Sequence, residues 1–148
     1  IAKGGSKLIE QAKVREVVLK GKRILVVEDN DLNREITAEI LGAEGCFIEE
    51  AENGKVALEK VRTSKAGYYD LVLMDIQMPV MDGLAATQEI RAIEFREGRK
   101  RLPIIAVTAR AMFGDKERIL EAKLDDYIAK PYNLNDVVET LNKYIDFD

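Results

Sequence analysis

The chain has 148 residues, 47% of them apolar, with 23 basic against 27 acidic side chains, a net charge of −4, one cysteine and no histidine. A chain of that length buries a sizeable single core. The counts exclude an internal disulfide, a histidine zinc cage and a Ser-His-Asp relay, and the negative balance gives no general attraction to nucleic acid phosphates.

Residues 1–20 stand apart from the rest of the chain. Gly4-Gly5-Ser6-Lys7 lacks the strand and the spacing of a phosphate-binding loop and reads as linker. Leu8, Ile9, Ala12 and Val18 leave open an amphipathic helix, packed on the domain or continuing one from upstream. Residues 21–148 are expected to form a single domain. No apolar run is long enough to span a bilayer, and no charged-then-apolar leader opens the chain. The segment is therefore expected to be cytoplasmic, without direct membrane contact. Its opening at Ile1 rather than Met reads as part of something longer, so a membrane-anchored parent stays open.

From residue 23 onward strand and helix signals alternate. A strand over 24–27 breaks off into Glu28-Asp29-Asn30, and a helix over 31–43 sets Leu32, Ile36, Ile40 and Leu41 on one face, the side an amphipathic helix turns to a core. Cys46 opens a second strand over 47–51 and is expected to pack as a small hydrophobe, a reactive thiol being the lesser reading. Asn53-Gly54 opens a helix carrying Val56, Ala57, Leu58 and Val61. A hairpin turn there is rejected because no second strand comes after it. A strand over 70–74, apolar without alternation from Leu71 to Met74 as in strands covered on both faces, leads to Asp75. Pro79 stops the sheet, and Asp82 caps a helix through Leu84, Ala85, Ile90 and Ile93. The basic stretch 96–101 reads as a solvated loop, with a docking patch as the minority reading. A strand over 103–107 ends at Thr108, a helix covers 111–122, a strand over 126–129 ends in Lys130-Pro131, and a helix over 134–145 closes the chain.

Five strand-helix units joined by right-handed crossovers make an α/β fold, a doubly wound parallel sheet between two helix layers. Such sheets keep ligands outside the carboxyl ends of their strands, where Glu28, Asp29, Asp75, Thr108 and Lys130 all fall. Any one of these has a plain explanation: an isolated Asp caps or turns, a Thr belongs in strands, and a Lys before Pro is held extended at the surface. Together they change the balance. Like charges about 4 Å apart repel by roughly 4 kcal/mol at an effective dielectric of 20, so clustered carboxylates call for a cation. Hard oxygen ligands point to magnesium, and the missing histidine argues against zinc.

The motifs Val26-Val27-Glu28-Asp29-Asn30, Leu73-Met74-Asp75-Ile76-Gln77-Met78-Pro79-Val80-Met81-Asp82-Gly83, Thr108-Ala109 and Lys130-Pro131 resemble the receiver domain of two-component response regulators across residues 23–146. Glu28-Asp29-Asn30 through Asn33-Arg34, together with Met74-Asp75-Ile76-Gln77-Met78-Pro79, is similar to the receivers of hybrid histidine kinases. The resemblance implies a five-stranded parallel sheet of flavodoxin-like order 2-1-3-4-5. It implies that Asp75 takes a phosphoryl group from a phosphohistidine of a histidine kinase or histidine phosphotransfer domain. A carboxylate of ordinary pKa near 4 would be ionised and ready at neutral pH. Asp29, Asp75 and the carbonyl of Gln77 would hold magnesium, with Glu28 reaching it directly or through water. Lys130 and Thr108 would contact the phosphoryl oxygens, and Tyr127 would be the aromatic of a switch at the fourth helix and fifth strand, or simply a core aromatic. Without histidine, the donor must lie elsewhere. The alternative is a receiver-like interaction module that takes no phosphate. A dehalogenase-type phosphatase would want an acid where Gln77 stands, and a flavin carrier would be repelled by the acids after the first strand. Two departures mark this chain. Lys123 stands where receivers commonly carry Gly, so the helix end is expected to lack a left-handed cap. The 97–102 loop is longer and more basic than usual.

Overall fold

The computed structural model describes residues 19–109, 116–130 and 132–144. The expected units are all present: β1 (Arg23–Val27), α1 (Asp31–Ala43), β2 (Phe47–Ala51), α2 (Gly54–Thr63), β3 (Leu71–Asp75), α3 (Gly83–Glu97), β4 (Ile104–Thr108), α4 (Lys116–Glu121), β5 (Asp126–Ala129) and α5 (Leu134–Tyr144). The five strands are parallel in the order β2-β1-β3-β4-β5. The chain reverses its winding between β1 and β3, which places Glu28 and Asp75 at the ends of neighbouring strands.

All five side chains of β3 and of β4 are buried, as strands must be when helices cover both faces. One core joins Leu25, Val72, Met74, Ile104 and Ala106 to Ala57, Val61, Ile90 and Ile119 of α2, α3 and α4. The other joins Ile24, Val26, Leu73, Ile105 and Val107 to Leu41 of α1 and to Val137 and Leu141 of α5. Each fully buried Leu, Ile or Val contributes about 1.5–3 kcal/mol, so alternate residues of one strand stabilise opposite faces. Cys46 lies in the second core, as expected for a small hydrophobe, its thiol donating to the Leu19 carbonyl at 3.3 Å. Burial and, after it, Glu44 push this thiol up to about 11, so it is no reactive nucleophile at neutral pH. Asn30, Asn53 and Asp82 cap their helices by accepting the third-residue N–H at 2.9, 2.9 and 2.8 Å. Among the described residues no helix is long and apolar enough to cross a membrane.

Four expectations need correction. Leu32, Ile36 and Ile40 are exposed, and only Leu41 of that set is buried, because the sheet-facing side of α1 is narrower than the apolar stripe. Helix α3 runs to Glu97 and stops at Gly98 in the left-handed conformation. The stretch beyond it is not simply solvated, for Arg99 donates to the Val61 carbonyl at 3.1 Å and Arg101 to Asp125 at 2.7 Å. Lys123 does adopt the left-handed cap, with φ of 70°, its carbonyl accepting from Arg91 at 3.0 Å and Arg101 at 2.9 Å. Two guanidinium groups aim that carbonyl, and the backbone conforms to them. The readings of residues 1–18, of 110–115 in the fourth helix, of Pro131 and of Ile145 lie outside the described residues.

Candidate functional site at the carboxyl edge of the sheet

The site assembles where β1, β3, β4 and β5 end. Asp75 closes β3 and pairs in register with Val107, so Thr108 stands one residue further along β4, buried. The Lys130 N–H donates to the Thr108 carbonyl at 2.8 Å, which fixes the start of the lysine side chain. The Lys130 ammonium then lies 3.2 Å from Glu28 Oε2 and 3.3 Å from Asp75 Oδ2. Glu28, Asp29 and Asp75 each bring a carboxylate oxygen within 4.8 Å of the others, Glu28 and Asp75 buried and Asp29 exposed. These are hard, anionic oxygens with an open side, the donor set that suits a magnesium ion keeping several waters.

That crowding governs the electrostatics. Burial first, then the hydrogen bond and charge of Glu28, push Asp75 up to about 7, while Lys130 pulls the other way. The expectation of an ordinary carboxylate is thus corrected: without a cation, Asp75 shares its site with Glu28 and resists ionisation. Burial lowers Lys130, but Asp75 and Glu28 outweigh it and hold the ammonium above its usual value.

The loop after β3 is shaped for close approach. The Gln77 N–H donates to Asp75 Oδ1 at 3.3 Å. Val80, exposed, has φ of 71°, and the Met81 N–H reaches back across it to the Pro79 carbonyl at 2.8 Å. A β-branched residue in that conformation is strained, and the strain sits in the loop that the nucleophile candidate opens. Gly83 lets α3 begin against β3, for a Cβ there would overlap the Asp75 carbonyl oxygen. Tyr127 in β5 pairs with Ala106 and packs, half-buried, against the core of the α2, α3 and α4 side.

Glu28, Asp29, Asp75 and Lys130 therefore come together, with Thr108 one register position past Val107 on the neighbouring strand, the Gln77 N–H on Asp75, and Tyr127 set back behind them. Contacts around them do not show in the sequence, which marks Asn33 and Arg34 only as part of a resemblance and does not mark Thr37 or Tyr132. Arg34 donates to the Glu28 carbonyl at 2.8 Å, and Asn33 approaches Glu28 Oε1 at 3.5 Å. The Tyr132 hydroxyl meets Thr37 Oγ1 at 3.0 Å, tying the β5–α5 connection to α1. Beside it a groove of about 500 Å³ opens between α1 and α5, lined by Ile36, Ile40, Tyr132 and Val137 and reaching Glu28 and Lys130. No spacing rule announces these contacts, since each joins elements brought together only by the fold.

The sequence model of the response regulator receiver domain matches residues 24–142. The chain is 47% identical over 126 residues to hybrid signal transduction histidine kinase I of Dictyostelium discoideum, covering 84% of this chain and only 7% of that protein. Its fold is similar to the receiver domain of the sensor histidine kinase PA1611 from Pseudomonas aeruginosa, solved with a magnesium ion coordinated in the active-site cleft. The TM-score is 0.74 at 38% identity, over 84% of this chain and 97% of that one. It is also similar to a receiver-containing co-crystal structure from Saccharomyces cerevisiae, that of the histidine phosphotransfer protein Ypd1 with the receiver domain of Ssk1. There the TM-score is 0.76 at 29% identity, over 84% and 89% of the two chains.

Proposed function

We propose that this chain, which belongs to the response regulator receiver domains, is the phosphoacceptor of a phosphorelay, with Asp75 as the acceptor. The observation that carries the reading is Lys130 bridging Glu28 and Asp75 at 3.2 and 3.3 Å inside the acidic cluster. An Asp75 carboxylate oxygen attacks phosphorus, the bond from phosphorus to the donor imidazole nitrogen breaks, and the phosphoryl group ends on Asp75. Lys130, released from its carboxylate partners, pairs with a phosphoryl oxygen, and the Thr108 hydroxyl donates to another. Glu28, Asp29, Asp75 and the Gln77 carbonyl would hold magnesium, which when bound neutralises the charge of carboxylates and phosphoryl group. Tyr127, on the strand that leads into Lys130, would report the change toward α4.

The donor is a phosphohistidine on a histidine kinase or a histidine phosphotransfer domain, a reading supported by the likeness to a receiver domain crystallised with the histidine phosphotransfer protein Ypd1. The exposed Leu32, Ile36 and Ile40 of α1 form an apolar surface beside the acidic cluster on which such a helical domain would seat. The likeness to the Dictyostelium kinase supports a hybrid histidine kinase as the parent, membrane-anchored or not, with this domain in the cytoplasm and catalysing only its own phosphorylation and dephosphorylation. Acetyl phosphate with magnesium should add one phosphoryl group by intact mass, and Asp75→Asn should abolish it. An unchanged mass under saturating donor overturns the reading and leaves an interaction module.

A further inference from the structure

Arg34 sits one turn into α1, where side chains lean back toward the helix start and so over the end of β1. Its fork makes three contacts: Nη1 to the Glu28 carbonyl at 2.8 Å, Nη2 to Asp31 Oδ1 at 2.8 Å and Nε to Glu50 Oε1 at 3.3 Å. The side chain is only 16% exposed. The Glu28 N–H is already bound by the Ala51 carbonyl at 3.1 Å. Both backbone groups of Glu28 are therefore held from outside its own strand, one by β2 and one by Arg34. The peptide between Glu28 and Asp29 cannot turn without breaking a charge-assisted bond, and that peptide sets where the Asp29 carboxylate points relative to Glu28 and Asp75.

We infer that Arg34 is a positioning residue for the cation site, holding the Glu28–Asp29 peptide so that both carboxylates converge with Asp75. The inference rests on the magnesium reading above and adds a residue that touches neither metal nor phosphoryl group. A rival account gives Arg34 only its charge. The two differ in sign. A guanidinium beside a cation site repels the incoming ion, so loss of charge alone tightens magnesium binding, whereas loss of the carbonyl bond loosens it.

The experiment is magnesium titration by calorimetry and amide chemical shifts on the unsubstituted chain, Arg34→Gln, Arg34→Lys and Glu50→Gln, with unfolding midpoints measured without metal. Arg34→Gln is expected to weaken magnesium by about tenfold, the usual cost of removing a group that orients a ligand. Arg34→Lys, which keeps a donor for the carbonyl, recovers part of that loss, and Glu50→Gln, which leaves the carbonyl bond intact, stays within about twofold. Unchanged or tighter binding by Arg34→Gln overturns the inference. So does a lysine variant no better than the glutamine one, or a Glu50→Gln loss as large as that of Arg34→Gln. A lowered midpoint with unchanged affinity marks a purely structural role and overturns it too. If the unsubstituted chain binds no magnesium, the metal reading fails first, and the inference with it.

Discussion

Arg91→Met removes the guanidinium at the centre of the most enclosed ionic network among the described residues. Arg91 and Glu94 are each 10% exposed and Asp125 12%. Arg91 donates to Glu94 at 3.0 and 3.1 Å, to Asp125 at 2.8 Å, and to the carbonyls of Leu102 at 2.8 Å and Lys123 at 3.0 Å. Breaking a buried ion pair costs about 3–5 kcal/mol, because the abandoned carboxylate stays buried without its partner. Here the abandoned groups keep some company. Glu94 still accepts from the Leu102 N–H at 2.7 Å, and Asp125 from Arg101 at 2.7 Å and the Ile104 N–H at 2.8 Å. That places the cost near the lower end, about 3 kcal/mol, and with a urea slope near 2 kcal/mol per molar the midpoint falls by about 1.5 M. Urea unfolding followed by circular dichroism measures it. Adding Glu94→Gln removes the orphaned charge, so the double variant should lose less than the two single losses summed, by about 1–2 kcal/mol. A midpoint within about 0.3 M of the unsubstituted chain, or strict additivity, would refute the reasoning.

Lys123→Gly should raise the unfolding free energy by about 0.5–1 kcal/mol in the same assay, since a left-handed lysine costs about 1–2 and a flexible glycine gives back about 0.5–1. A loss would show that the lysine side chain holds that turn. Glu49 offers a test in pH. Burial by itself would raise its carboxyl, but donors from Tyr68 at 2.7 Å and Tyr69 at 3.0 Å, with Lys60 and Arg23, hold it below the ordinary 4.5. A folded value below the unfolded one means stability present in full above the unfolded pKa and lost as pH falls through the folded one. Glu49→Gln should therefore lower the melting midpoint at pH 7, and the deficit should shrink along a series down to about pH 2. A deficit independent of pH would reject the assignment.

The architecture was legible because its signals are local. Apolar runs ending in acids at Asp75 and Glu28, caps at Asn30, Asn53 and Asp82, and a proline at 79 each act within a few residues of themselves. The acids, Thr108 and Lys130 could be read together because parallel strands deliver their ends to one edge. What the sequence could not disclose was which face of α1 meets the sheet, since a stripe from Leu32 to Ile40 does not say what packs on it. Nor could it show that Arg34 reaches Glu50, or that Arg91 reaches Asp125, pairings 16 and 34 residues apart. The left-handed lysine at 123 escapes the sequence for the same reason: its carbonyl is held by Arg91 of α3 and by Arg101 of the stretch after it.

That last contact bears on the building of chimeras. Arg101 comes from the basic stretch after α3 and Lys123 from the turn after α4, and they are bonded to one another. They form a single exchangeable module. A graft that imports a shorter loop from a relative removes one of the two guanidiniums that aim the Lys123 carbonyl, and leaves a lysine in a conformation with half its support. Such a graft should carry a glycine at 123 with it, while the reverse graft, bringing this loop into a relative that already has glycine there, needs no companion change.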